Sequence, residues 1–189
     1  MVLLSADFSQ IESYTTAVEA GDRDLVAAIR DGHVGHQATA DYINARFTLQ
    51  LDRQAGKTCN HARDKGESAH NLALRLFGNR SRESVRRADS ILTALLDPFP
   101  ITRRFREQLM RDCERNNPYV AVNRFGRRLK CFGRSRYNGE ERVRTPAARE
   151  RWKMALAFLG RSLAADVAYR GFLAIVEGRL LDNYSLQYA

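Results

Sequence analysis

Arg53, Lys57, His61 and Lys65 recur every fourth residue, and Gly66 follows at once. Such a series lines up only on an α-helix. Four residues advance ~400° at ~100° per residue, so each member is displaced by only ~40° from the last and the four stand along one face, ~6 Å apart. A glycine is the natural stop for such a helix. Cations at this spacing repel, so the ladder costs stability unless an anion lies along it. Arg offers a planar fork and Lys a point charge, a pair suited to a triphosphate. A solvated basic face is the simpler account, and the spacing alone leaves both open.

Caps and breakers divide the remaining chain in the same way. The reading gives helices over residues 8–20, 22–30, 34–47, 52–65 and 67–77, with glycines at 21, 32, 66 and 78 marking ends. Ser81 is placed to cap a helix that runs to Leu96 and stops at Asp97-Pro98. Pro100 suits the first turn of the next, to Arg115. Tyr119–Val122 and Arg128–Phe132 read as a hairpin around Asn123-Arg124-Phe125-Gly126. Residues 133–145 read as a loop, and Pro146 opens a long helix through Val176 with weak points at Gly160 and Gly171. Val2-Leu3-Leu4 reads as a buried opening strand, and the alternation of Tyr184, Leu186 and Tyr188 as a closing one. The fold class expected is α+β, mostly helical.

Charge is unevenly spread in a chain whose net charge is +9. Residues 1–50 hold 3 basic and 7 acidic side chains, whereas residues 101–160 hold 16 basic and 6 acidic. A basic excess favours a polyanion partner. Three cysteines, Cys59, Cys113 and Cys131, with no C-x-x-C spacing exclude a disulfide scaffold or zinc finger; they suit a reducing cytosol and are expected to be inert. No apolar run approaches the ~18 residues of a membrane span, and the first residues lack the basic start of a signal peptide.

Asp7-Phe8-Ser9-Gln10-Ile11-Glu12 follows the opening strand. A carboxylate at a strand end is well fixed for metal binding, though on its own it is more often a turn or cap residue. With this segment the chain resembles the polymerase module of family A DNA polymerases, whose first palm motif is usually Asp-Tyr-Ser-Gln-Ile-Glu. Gly35-His36-Gln37-Ala38-Thr39-Ala40 resembles the segment carrying a phosphate-contacting His, and the ladder resembles the fingers helix. Gly126-Arg127-Arg128 is similar to the Gly-Arg-Arg turn of the palm. Ala155 to Asp166 is similar to the later helix ending Thr-Ala-Ala-Asp.

The resemblance implies a palm with a small antiparallel sheet and a helical fingers insertion: residues 1–50 as the first palm part, 51–117 as fingers, and 118–189 as a second, incomplete palm part. It implies template-directed nucleotidyl transfer on a DNA primer–template with deoxynucleoside triphosphates and two Mg²⁺ ions, ~4 Å apart. Asp7 would bind both metals, and the Phe8 backbone carbonyl one of them. Phe8, Gln10, Glu12, His36, Arg53, Lys57, His61 and Lys65 would form the nucleotide site. Within it Glu12 would exclude a ribose 2′-hydroxyl, Arg53 would hold the distal phosphates, and Lys57 would meet the phosphate under attack and protonate the leaving group. Arg127, Arg128 and Arg161 would contact DNA, within a basic region that tracks the duplex.

Three departures stand out. Phe8 replaces Tyr. Lys65 replaces the Tyr before Gly66 and offers no ring face to a template base. Gly160-Arg161 replaces Pro-Gln and brings a charge to the minor groove. The family's second metal carboxylate belongs to a His-Asp-Glu motif whose approach resembles Leu186-Gln187-Tyr188-Ala189, so the isolated chain is expected to be a poor polymerase. The alternative is a catalytically inactive, basic DNA-binding module. Tyr119, Phe125, Phe132 and Tyr137, interleaved with Arg, are expected to pack in the core rather than stack on bases. His33 and His70 are expected to be ordinary surface histidines, and Asp166 a plain polar residue of the long helix.

Overall fold

The structure, a computed structural model, describes residues 10–132 and 147–177. The opening strand, the loop over 133–145, the closing strand, Asp7, Phe8 and Tyr137 lie outside the described residues. Within them the chain is mostly helical α+β: α1 (Ile11–Ala20), α2 (Arg23–Arg30), α3 (His36–Phe47), α4 (Arg53–Lys65), α5 (Ala69–Phe77), α6 (Arg82–Ala94), α7 (Pro100–Arg115), the strands β1 (Tyr119–Val122) and β2 (Arg128–Cys131), and α8 (Ala147–Glu177). None of these helices is long and apolar enough to cross a membrane.

Side chains close the helix ends where the sequence suggests. Asp52, Ser68 and Ser81 accept from the backbone N–H groups of Ala55, Asn71 and Ser84. Asp22 does more than cap α2. Its buried carboxylate accepts from Leu25 N at 3.0 Å, and also from the Thr102 N–H and hydroxyl at 2.9 and 2.8 Å. One side chain thus satisfies the first turns of α2 and α7 together.

Three apolar clusters carry the packing. Ile43, Cys59, Leu72 and Ile91 centre one among α3–α6. Leu109, Ala121, Cys131, Trp152 and Leu156 centre another, where α7 and α8 sandwich the inner face of the hairpin. Leu25, Ile29 and Phe99 join α2 to the start of α7. Strands β1 and β2 pair antiparallel, Tyr119 opposite Cys131 and Val122 opposite Arg128. Alternation then sends Ala121 and Cys131 inward and Val120 and Val122 outward.

Two expectations change. Phe125 and Phe132 are not core residues: they are 45% and 57% exposed, because Phe125 sits in the turn and Phe132 follows the inward-facing Cys131 just past the hairpin. The Phe125 ring lies 4.2 Å from the Arg170 guanidinium instead. Tyr119 does pack against the second cluster. Helix α8 runs unbroken through Gly160 and Gly171. At Gly160 the missing side chain is a packing requirement, since a Cβ there would lie 2.7 Å from Thr16 Oγ1 of α1. The Thr15 hydroxyl donates to the Gly160 carbonyl at 2.8 Å across the same crossing.

Gly66 ends α4 at φ 63°, and a Cβ there would meet the Trp152 ring at 2.3 Å. Gly78 ends α5 at φ 71° with open space around it. Alanine at either site bears the left-handed backbone cost of about 1–2 kcal/mol, and at Gly66 overpacking adds about 1–3 kcal/mol. Urea unfolding is therefore expected to rank Gly66→Ala well below Gly78→Ala in stability. Equal losses would show that the tryptophan does not confine this turn.

Candidate functional site

Helix α4 is wedged between α1 and α3, and its ladder opens on a cavity of about 340 Å³. Gln10, Glu12, His36, Lys57, Asn60, His61 and Asp64 line it. The fold thus brings five of the site residues named from sequence, Gln10, Glu12, His36, Lys57 and His61, to one concavity. Arg53 is exposed at the first turn of α4, close enough for its charge to act on His36. Lys65 stands at the other end, beside Glu12 and Arg161 in an adjoining cleft.

Gln10 precedes α1 in a left-handed conformation at φ 54°. Its Oε1 is buried without a hydrogen-bond partner. Glu12 lies in the first turn of α1, and Arg161 of α8 donates to its Oε1 from Nε at 3.1 Å. Both partners are substantially exposed, so water screens the pair and its value lies in orienting the carboxylate.

The His36 and His61 rings lie 6.1 Å apart, tilted by 41°. Asn60 holds the His36 end. Its amide lies 3.3 Å from His36 Nδ1 and donates to the Val34 carbonyl at 3.1 Å, while the Thr39 hydroxyl donates to its Oδ1 at 3.1 Å. Burial, then the charges of Arg53, His61 and Lys57, push the His36 pKa down against the opposing pull of Asp64. Burial and Lys65 do the same at His61, where Asp64 and Glu12 pull upward. Both rings are therefore biased to the neutral form while no anion is present.

Asp64 forms the floor. Burial would raise its pKa, but the charge and hydrogen bond of Arg63, the Ser13 hydroxyl and the charge of Arg106 outweigh this and hold the carboxyl below its ordinary range. Arg63 Nε donates to Asp64 Oδ1 at 2.8 Å, and the Ser13 hydroxyl donates to Oδ2. Arg106 donates to the Arg63 carbonyl and lies 5.4 Å from the centre of the Trp152 ring. Burial brings its pKa down to about 10.

Ser13, Asn60, Arg63, Asp64 and Arg106 escaped the sequence reading. The signal was present: at ~100° per residue Asn60 and Asp64 fall on or beside the ladder's face of α4 and Arg63 falls off it, and a buried polar side chain needs partners.

The remaining residues sit elsewhere. Arg127 donates to Asp166 from Nη2 at 2.5 Å, and Asn123 donates to the same carboxylate at 2.8 Å. Asp166 is thus the anchor of the hairpin turn, rather than a plain polar residue. Its pKa is lowered by the hydrogen bonds from Arg127 and Asn123. Arg128 is exposed at the start of β2. His33 and His70 are exposed. All three cysteines are buried, with thiol pKa values raised chiefly by burial, to about 12 at Cys59 and about 11 at Cys113.

Among the described residues no group of three His, Cys, Asp or Glu side chains could hold a metal ion. The described donor set by itself does not fit a divalent metal.

Comparison with known proteins points one way. The model of DNA polymerase family A matches residues 1–174. A DNA polymerase I of Chloroflexus aurantiacus is 32% identical over 172 residues, which is 85% of this chain and 18% of that protein. A thermostable DNA polymerase I of Thermus filiformis is 29% identical over 88% of the chain and 19% of its own length. A DNA polymerase of Mycobacterium phage L5 is 28% identical over 93% of the chain and 25% of its own. The chain thus spans about a fifth to a quarter of these relatives.

The two histidines give a pH dependence of stability with a definite sign. Their pKa values lie below the ordinary 6.5 in the folded chain, so the unfolded chain binds more protons as the pH falls past that value. Their contribution is complete above 6.5 and is lost as the pH falls toward the lowered values. Denaturant unfolding at about pH 7.5 and about pH 5.5 checks this, with the acid loss expected to shrink in the His36→Gln/His61→Gln double variant. An undiminished loss would place the acid sensitivity elsewhere.

Proposed function

The chain belongs to DNA polymerase family A, and we propose that it forms the portion of a template-directed DNA polymerase that grips the incoming deoxynucleoside triphosphate. The observation that carries this reading is the convergence of Lys57, His61, His36 and Glu12 on one cavity beside the exposed Arg53. Clustered cations and depressed histidines want an anion, and the ladder has the linear form of a triphosphate.

In this reading Arg53 holds the distal phosphates with its fork. Lys57, a turn further along α4, faces the phosphate under attack and gives a proton to the departing pyrophosphate. His36, oriented by Asn60, adds a phosphate contact that strengthens as the approaching negative charge raises the ring's affinity for a proton, taken from water. His61 packs alongside. Glu12 sits at the sugar and disfavours a 2′-hydroxyl, with Arg161 fixing its carboxylate. Gln10 Oε1, buried and unpaired, is an acceptor available to a donor on the nucleotide. Lys65 completes the ladder.

The family uses divalent metal, which supplies Lewis-acid chemistry at the phosphates. Asp7 and the Phe8 carbonyl would hold Mg²⁺ in this reading. Residues 1–50 and 118–189 then belong to the palm and residues 51–117 to the fingers. Arg128 meets DNA directly, while Arg127 and Arg161 reach it as members of ion pairs with Asp166 and Glu12.

Fluorescent deoxynucleotide binding and primer–template binding test the reading together. Arg53→Ala and Lys57→Ala are each expected to weaken triphosphate binding by about tenfold or more, the value of one lost charged hydrogen bond. Nucleotide with Mg²⁺ is expected to tighten primer–template binding. Binding of DNA that ignores nucleotide would instead make the chain an inactive DNA-binding module.

A further inference from the structure

The turn between α5 and α6 carries a second group of cations, apart from the ladder. Residues 78–87 hold four arginines, Arg80, Arg82, Arg86 and Arg87, and one acid, Glu83. All four arginines are exposed. Arg82, Arg86 and Arg87 lie in the first two turns of α6, within ~7.5 Å of its axis length. Arg80 stands just before the Ser81 cap and donates to Asn71 Oδ1 of α5 at 3.3 Å. The turn itself is braced, since Asn79 Oδ1 accepts from the Ser81 N–H at 3.0 Å and from the Ser84 hydroxyl at 2.7 Å. Helix α5, nine residues and ~13 Å long, separates this tip from the Gly66 end of α4.

Stability alone does not account for this grouping. Several exposed arginines elsewhere stand against carboxylates: Arg75 on Glu67, Arg103 on Asp97, Arg127 on Asp166. Among the described residues the four at the tip form no ion pair, although Glu83 and Asp89 are on the same helix. Arg82 and Arg86 are four apart, the spacing at which like charges repel. Cations in a first helical turn also oppose the helix dipole. A polyanion laid along the tip would reverse both terms. The composition suits phosphate better than protein. Val85 is the one large apolar side chain in residues 78–87, and it packs inward on the first apolar cluster. A protein docking face is built around an apolar centre, which these residues do not offer. Arginine forks beside hydroxyl and amide groups are the set that holds a phosphate backbone.

We propose that the α5–α6 tip is a contact for the phosphate backbone of a DNA strand, separate from the nucleotide site and from Arg128. The contact supplies affinity and salt dependence, with no preference among bases. It does not depend on the nucleotide reading, and stands whether or not α4 grips a triphosphate.

A fluorescein-labelled oligothymidylate of about 20 nucleotides, long enough to span several phosphate contacts, is titrated with the full chain across a range of salt and followed by anisotropy. Arg82→Glu/Arg86→Glu is expected to weaken binding by about tenfold or more. The slope of log K against log salt is expected to flatten by about 1.4, two contacts at ~0.7 each. These substitutions put carboxylates where the helix dipole favours them. The urea midpoint is therefore expected to hold or rise, which separates lost binding from lost fold. Arg23→Glu/Arg30→Glu makes the same charge change at exposed positions of α2 and is expected to leave the slope as it was. Triphosphate binding is expected to be unaltered by either pair, so this contact and the nucleotide site fail or hold independently. Unchanged affinity and slope in Arg82→Glu/Arg86→Glu overturns the proposal. An equal loss in Arg23→Glu/Arg30→Glu would show an effect of net charge only, and overturns it too. Displacement of the strand by polyglutamate at equal charge concentration would make the tip a site for acidic protein, and would likewise overturn it.

Discussion

Asp64 is the carboxylate on which the arrangement of α1, α4, α7 and α8 depends. It accepts from Ser13 of α1 and Arg63 of α4, and it lies in the field of Arg106 of α7. Arg106 in turn donates to the Arg63 carbonyl and faces the Trp152 ring, while Trp152 Nε1 of α8 donates to the Arg106 carbonyl at 3.1 Å. A buried ion cluster is weak evidence for net stability, because desolvation offsets much of the attraction. Removing one member is another matter: a buried guanidinium without its carboxylate costs about 3–5 kcal/mol. The cluster thus acts as a registration device. It sets the rotation of α4 about its own axis, and with it the direction of the cationic ladder.

That rotation decides what the ladder can do. Arg53, Lys57 and Lys65 on one face repel, and burial together with these charges biases the two histidines toward the neutral form. Among the described residues Glu12 and Asp64 supply the opposing charge at the cavity. A fold selected for stability alone would interleave carboxylates along such a face. Here the unfavourable field is concentrated at a concavity, which is where a protein keeps local conflict when a ligand resolves it.

Much of this was legible in the residues. The helix ends were, because Asp22, Asp52, Ser68, Ser81 and Pro100 act locally, each through one or two backbone groups of its own turn. The ladder was, because its period is that of the helix. The partners across the fold were not. Nothing within a few residues of Gly66 announces that Trp152 will lie against it, or that Asp166 will hold Arg127 across 39 positions. The exposed Phe125 and Phe132 mislead for the same reason: an aromatic beside a hairpin reads as core until the sheet is known to have a single buried face. Arg63 and Asp64 are adjacent in sequence, but their joining Ser13 and Arg106 in a buried cluster depends on partners from other helices.

The two departures from the family pattern near the site form one device. Gly160 lets α8 approach α1 until Thr15 reaches its carbonyl, an approach that any side chain larger than hydrogen would block at Thr16. The next residue along α8 is Arg161, and the close crossing is what brings its guanidinium to Glu12. Lys65, standing where the family has a Tyr, lies in the same cleft as Glu12 and Arg161. The glycine sets the helix separation and the arginine takes up the carboxylate, while the lysine stands in the adjoining cleft. Arg161 thus holds Glu12 at the mouth of the cavity that the ladder lines.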